Sequence, residues 1–500
     1  MTTSTYNSQA GTQEALAGVT EKSSLPSEPQ PAPRREVART IASRFIILTL
    51  CVALVLSTLA YGTVHYWSLA VFQAGAALVI FFWVVDAWRS RVLRVSRNAL
   101  QLPLLGLILV GLFQLLPLGT DAGALSVGIS PVKSLSLDPY VTRLILVQLT
   151  ALLIYFAAAL AFIDSPRRLR VITYTIAIFG FALAIFGMIQ SFLTPTKIYG
   201  LRELGQSTSF GPFINRHHFA AYMEMALAVP AGLLLVGAVE REKRLLFGFA
   251  AAMMAIALVM TNSRGGIISL VAEVGFLFIV TAGKGKSRSS SSHESDRRTG
   301  RARSMMMRAG LAFALLLAIF SGVIFFGGEE ALSRFIGTVN SNDPTTGRLH
   351  FWRGTLGIIS DHPFIGTGLG SFGVAYTLYD TRNGLYRLEQ AHNDYLQILS
   401  DAGLVGAVLG LAFIFMLFRG GFMRRESDDP FRGGVATGAL AGCFAVLVHS
   451  FFDFTLHTSA NALLFLTLAA LATLDARVEQ PGQRKHRRRR RRRHTESSPA

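Results

Sequence analysis

The residues best equipped for chemistry sit in one short run, Gln390-Ala391-His392-Asn393-Asp394-Tyr395-Leu396. Histidine exchanges protons near neutral pH, so His392 is the natural general base. Asp394 follows two residues later, and residues two apart do not face each other on a helix, so spacing alone does not make it the group that orients the imidazole. A local reading competes: the run is a helix-capping polar cluster in which Asn393 caps and His392 is incidental.

Three arginines could hold an anion. Arg264 lies in Thr261-Asn262-Ser263-Arg264-Gly265-Gly266, where two glycines allow close approach and an opening helix offers backbone N–H groups and the positive end of its dipole. A guanidinium in that place is a phosphate clamp; the competing reading is an interfacial arginine that snorkels. Arg216, in Asn215-Arg216-His217-His218, is a second phosphate contact. His217 and His218 point in different directions and no acid follows at ligand spacing, so no metal is expected there. Arg348 is the third, either a site residue or a solvated surface charge. It opens a segment in which Leu349, Trp352, Leu356 and Ile359 recur at helical spacing, which predicts an amphipathic helix. Asp453 and His457 fall just past an apolar run, and ionisable residues so placed are functional candidates. Gly368-Leu369-Gly370-Ser371-Phe372-Gly373 fits G-x-G-x-x-G, but no strand precedes it, so the glycines are expected to make tight turns instead of a dinucleotide site.

The elements that must position these side chains are hydrophobic. Of 500 residues, 51% are hydrophobic and 16% charged, and the mean hydropathy is +0.43. That composition excludes an ordinary soluble domain and predicts an all-α polytopic membrane protein. Apolar runs fall at 44–62, 66–86, 100–118, 141–163, 169–193, 219–238, 245–261, 264–282, 309–326, 403–419, 433–452 and 460–474, about twelve spans. No alternating strand pattern suggests a barrel. Cys51 and Cys443 fall inside apolar runs and read as packing residues.

Charge gives the expected orientation. Arg35–Arg44, Arg89–Arg97, Arg167–Arg170, Arg241–Arg244, Lys284–Arg308, Arg419–Arg432 and an arginine-rich tail all fall on one side and are basic. By the positive-inside rule that side is cytoplasmic, with both termini. Residues 1–40 read as a disordered cytoplasmic segment, 41–476 as the transmembrane domain and 477–500 as a disordered polybasic tail suited to anionic lipid, with no nucleic acid expected as partner. Within the domain, 283–308 reads as a cytoplasmic linker. The opposite face carries Thr194–Phe219, the turn before Arg264 and a loop of about 75 residues over 327–402, too rich in aromatics for disorder. Tyr395, Leu396 and Leu399 predict a second amphipathic helix there.

The ordered set Ser263-Arg264-Gly265, Gly347-Arg348 with Trp352, His362-Pro363, Gly366-Thr367-Gly368-Leu369-Gly370-Ser371-Phe372, Ala391-His392-Asn393-Asp394-Tyr395-Leu396 and Gly403-Leu404-Val405-Gly406 resembles the O-antigen ligase / O-antigen polymerase family over roughly residues 210–420. The resemblance implies a polyprenol-dependent glycosyltransferase of the bacterial inner membrane. Its donor would be an undecaprenyl-diphosphate-linked glycan at the periplasmic face, and its acceptor lipid A–core or a growing glycan, in lipopolysaccharide or exopolysaccharide synthesis. Carried over, the family's functional positions fall on Arg264, Arg348 and His392, with Arg216 less closely matched because Asn-Arg-His-His departs from the usual Asn-Pro-Asn-like run. The expected roles are His392 as base, with Arg216, Arg264 and Arg348 on the diphosphate. Asn393, Asp394, Trp352, His217 and Asp453 would support them, with no metal or other cofactor. With no second carboxylate evident for a covalent intermediate, single displacement and inversion are expected.

Two rivals remain. A flippase for polyprenyl-linked glycans would show mid-span ionisable groups, for which Asp86, Glu224 and Glu273 are the candidates. A shape-type peptidoglycan polymerase would need an outer-loop acid, for which Glu329, Glu330 and Glu389 lack a supporting pattern.

Overall fold

A computed structural model describes residues 40–120, 132–203, 209–282, 348–381, 388–475 and 478. The leader, the 283–308 linker, the run at 309–326, Glu329, Glu330 and nearly all of the polybasic tail lie outside the described residues. Among those described, nine helices are long and apolar enough to cross a membrane and two shorter apolar helices accompany them. The protein is an all-α, multi-pass membrane protein.

In chain order the helices are α1 (Ile41–Leu59), α2 (Tyr66–Ser90), α3 (Gln101–Gln114), α4 (Pro139–Phe162), α5 (Pro166–Leu193), α6 (Arg216–Val236), α7 (Arg244–Met260), α8 (Arg264–Ala282), α9 (Arg348–Asp361), α10 (Phe372–Ala375), α11 (Asp394–Arg424), α12 (Pro430–His449) and α13 (Ser459–Thr473). Each of the eleven apolar runs that falls on described residues forms one of these helices. Local chemistry sets many starts. Asp138, Ser165 and Asp429 cap α4, α5 and α12, each followed by a proline in the first turn, where a missing N–H costs nothing. Two minimal antiparallel pairs, Gly119–Thr120 with Val132–Lys133 and Lys197–Ile198 with Arg202–Glu203, are the strands among the described residues.

Helices α6 and α12 form the centre. Along the apolar window of α6, 89% is buried, against 22% for the peripheral α2. Small residues bring the two backbones together: a Cβ on Gly232 would lie 2.4 Å from the Gly438 nitrogen, and one on Gly438 would lie 2.3 Å from the Ala228 oxygen. Peripheral helices instead expose Phe81, Val84, Ile178 and Leu245, as a surface facing lipid tails would.

At one end of the bundle the charged groups serve structure. Asp86 on α2 accepts from Thr40 and pairs with Arg94, which also reaches Asp164 at 3.0 Å; Arg168 closes on Asp164 at 3.1 Å. The buried Arg432 donates to the Leu471 and Leu474 carbonyls at 3.1 and 2.8 Å, satisfying the end of α13.

The other end gathers the candidate site residues. In α9 the buried face is Thr355 and Ile358, with Phe351 beside them, whereas Leu349 and Leu356 are exposed. Leu349 and Leu356 stay open, as on a helix lying apolar face down on a membrane surface, and the core that the other face of α9 meets, Phe372, Ala375, Tyr376 and Leu388, comes from the loop itself. A Cβ on Gly354 or Gly357 would strike the rings of Tyr376 or Tyr379 at 2.6 or 2.7 Å, so this face can close only over glycine. The helix expected at Tyr395–Leu399 starts at the Asn393 cap, and non-helical Gly403 (φ 61°, ψ −157°) separates it from the span, so α11 is two helical segments joined at a break. The glycine-rich run makes the expected turns, which lie against that break. Leu404 N and Val405 N, which the break frees, donate to the Pro363 and Phe364 carbonyls at 2.8 and 3.1 Å. Gln114 of α3 adds bonds to Ile365 O and Asp401 O at 2.6 and 2.8 Å. The run is a clasp that satisfies a broken transmembrane helix.

Candidate active site

The site is built outward from the start of α11. Asn393 caps it: its Oδ1 accepts from Tyr395 N and Leu396 N at 3.0 and 3.1 Å, and its Nδ2 donates to Phe451 O at 3.1 Å. His392, immediately before the cap, takes a left-handed conformation with φ 51°. Non-glycine residues adopt this only under constraint. Trp352 of α9 supplies one, its indole N–H donating to the Ala391 carbonyl at 3.2 Å.

This turn carries the imidazole to the loop between α12 and α13. His392 Nδ1 lies 3.2 Å from Asp453 Oδ1, with Asp453 1% exposed and His392 29% exposed. The Phe454 N–H donates to the same carboxylate oxygen at 2.9 Å, and the Arg348 guanidinium lies 3.5 Å from the other. Phe454 sits edge-on to the His392 ring, with centroids 4.9 Å apart. Burial pushes the Asp453 carboxyl up, but the bond to His392 and the charges of His217, His392 and His218 outweigh it, holding the carboxyl well below the usual carboxylate range. An ionised carboxylate only accepts, so Nδ1 of His392 is the donor and Nε2 is left as the basic nitrogen.

Asp394 belongs to another pair. Its carboxylate takes His457 Nδ1 at 2.9 Å and the Ser450 hydroxyl at 2.8 Å. Spacing had left Asp394 unassigned with respect to His392; the structure gives that place to Asp453.

The arginine side is built on the starts of α6 and α8. Asn215 caps α6 by accepting from His217 N at 2.9 Å. Ser263 caps α8 by accepting from Gly266 N at 3.2 Å, and its hydroxyl lies 2.8 Å from His217 Nδ1. The two helix starts carrying Arg216 and Arg264 are therefore joined through His217 and Ser263. The glycines after Arg264 serve packing: a Cβ on Gly265 would lie 2.9 Å from His449 and Phe452, and one on Gly266 2.9 Å from Ala220.

Two cavities flank the start of α6. Arg216 lines one of about 160 Å³ with Gln190, Phe210, Thr261 and Asn262. His392 and His218 line the other, about 450 Å³, with Gln148, Gln390, Phe454 and His457. The structure brings His392, Asp453, Arg348, Trp352 and Asn393 into one contact set, but it does not place Arg216 and His392 in one cavity.

Sequence reasoning missed Gln148, which does not stand out by type or spacing; His218 was weighed only as half of a histidine pair and Ser263 only as part of the arginine motif. Of the mid-span acids, Asp86 is tied to Arg94, and Glu224 bonds His449 Nδ1 at 3.2 Å. The buried Glu273 carboxylate makes no hydrogen bond among the described residues.

Residues 249–411 match the family model described as O-antigen ligase. The chain carries an O-antigen ligase domain. The match begins in α7 and ends in α11, inside the expected 210–420, and covers Arg264, Arg348 and His392 but not Arg216, His217 or Asp453. No curated protein gives a significant match to the chain. An O-antigen ligase domain places this multi-pass protein in glycan biosynthesis, as a glycan-transferring enzyme of the ligase or polymerase type.

Proposed function

We propose that the protein transfers a glycan from an undecaprenyl-diphosphate donor to an acceptor hydroxyl at the periplasmic face of the bacterial inner membrane, in lipopolysaccharide or exopolysaccharide synthesis. The observation that carries this reading is the His392–Asp453 pair at 3.2 Å, with Arg348 on the same carboxylate. His392 Nε2 takes the acceptor proton while the acceptor oxygen bonds the anomeric carbon. The bond from that carbon to the phosphate oxygen breaks, and the diphosphate leaves with the electron pair. Arg264, Arg216 and Arg348 hold the diphosphate, stabilising charge that grows as the bond breaks. One displacement inverts the anomeric centre, and these arginines give the leaving group cationic partners without a metal. The basic loops supply the orientation, since by charge they lie opposite the face that carries His392.

The acceptor decides between ligase and polymerase. Purified protein in proteoliposomes, given the polyprenyl-diphosphate glycan and EDTA, with lipid A–core or with none, tests both. Product on lipid A–core indicates a ligase, and longer glycan on polyprenol indicates a polymerase. A flippase is the rival from another class, favoured by the buried Glu224 and Glu273 in α6 and α8. It would give no transfer product with intact protein and would still move substrate with His392 changed.

A further inference from the structure

We infer that the cavity beside His392 binds the terminal, uncharged sugar of the acceptor, and that residues outside the O-antigen ligase domain, Gln148 of α4 above all, select that sugar. This rests on the reading of His392 as the base.

A base must touch the hydroxyl that it deprotonates, so the acceptor belongs in the cavity that His392 lines. Its volume of about 450 Å³ falls within the roughly 300–1,000 Å³ typical of small-molecule sites. The wall suits hydroxyl groups. The amides of Gln148 and Gln390 both donate and accept, Thr63 and Thr458 add hydroxyls, and the Phe454 ring offers a flat face for a sugar ring. Gln148 is already oriented, since its Nε2 donates to Ser459 Oγ at 2.8 Å. His218 Nε2 and Gln390 Oε1 are buried at this wall with no hydrogen-bond partner among the described residues, so the wall holds polar capacity that a ligand's hydroxyls can satisfy.

Charge separates this cavity from a phosphate site. Among the described residues no arginine or lysine lines it, while Arg216 lines the smaller cavity across the start of α6. Glu389 stands on its wall and disfavours an acidic sugar. Within the O-antigen ligase domain lie Glu389, Gln390 and His392; Thr63, Gln148, His218 and Phe454 come from outside it.

The test uses the full chain in nanodiscs. The soluble oligosaccharide released from the source organism's own surface polysaccharide competes with the acceptor during transfer. Gln148→Ala and Gln390→Ala are expected to raise its half-inhibiting concentration about tenfold while the donor KM stays within about twofold. Half-inhibition equal to wild type in both variants, with His392→Ala inactive, overturns the cavity assignment alone. Full transfer by His392→Ala overturns the reading beneath it. Saturation-transfer NMR with methyl glucoside and methyl glucuronide gives a check without turnover. The glucoside should bind and the glucuronide should not, and Glu389→Gln should admit the glucuronide; equal binding of both to wild type counts against the proposal.

Discussion

His392 and Asp453 are 61 residues apart in the chain and 3.2 Å apart in space. The pair joins a matched and an unmatched part of the sequence, because the O-antigen ligase domain ends at residue 411. The carboxylate fixes one imidazole nitrogen as a donor and so leaves the other as a base. Asp453→Asn keeps the shape but not the charge. Transfer rate should fall by on the order of 10³-fold or more, as in other His–carboxylate pairs when the carboxylate is replaced by its amide. Asp394→Asn should cost far less in rate. Steady-state rates of the two variants in proteoliposomes check this, and equal losses would remove Asp453 from its orienting role.

Arg264 starts α8 beside Ser263, whose hydroxyl contacts His217. A positioned guanidinium on a leaving diphosphate should be worth about 10²–10³ in kcat. Arg264→Ala is expected to lose that much, and Arg264→Lys to recover only part of it, because a lysine cannot make the bidentate contact. A variant with wild-type kcat would dismiss the clamp.

The loop after α12 should make stability depend on pH in two directions. Burial lowers the His457 imidazole, but the bond to Asp394 and its charge outweigh that and raise it above its ordinary value. A raised histidine stabilises fully below about pH 6.5, the unfolded value, and loses that contribution as pH climbs through the folded value. Asp453, held low, acts in the opposite sense: its contribution is complete above about pH 4 and is lost as pH falls below that. Melting of the purified protein should therefore drop on the alkaline side of about pH 6.5, and His457→Gln should flatten that limb while leaving the acid limb. An unchanged alkaline limb in His457→Gln would contradict the assignment.

The centre of the bundle depends on backbone contact. A Cβ at Gly438 would lie 2.3 Å from the Ala228 oxygen and 3.0 Å from Val229 Cα. Neither neighbour is a flexible side-chain tip. Gly438→Ala should force α6 and α12 apart and destabilise by about 1–3 kcal/mol or more, read as a lower melting temperature. At Gly410 no atom lies within 4 Å of the added Cβ, so Gly410→Ala should be neutral or slightly stabilising.

The sequence alone determined the spans, many of the helix starts and the membrane class. Apolar length is a local property, and a bilayer or a buried core reads it in the same way. Asn393 was legible as a cap because capping involves only the next three residues. Tertiary structure decided the partners. Spacing could show that Asp394 is poorly placed for His392, but only the left-handed turn at His392 and the loop after α12 bring Asp453 to it. The buried face of α9 likewise depended on where Phe372 and Tyr376 fold, which periodicity does not encode. The glycine run could be read as turns, yet its task of satisfying the break at Gly403 needed both segments side by side. The division into an arginine cavity and a histidine cavity arises because Arg216 and His218, two residues apart at the start of α6, emerge on different sides of that helix.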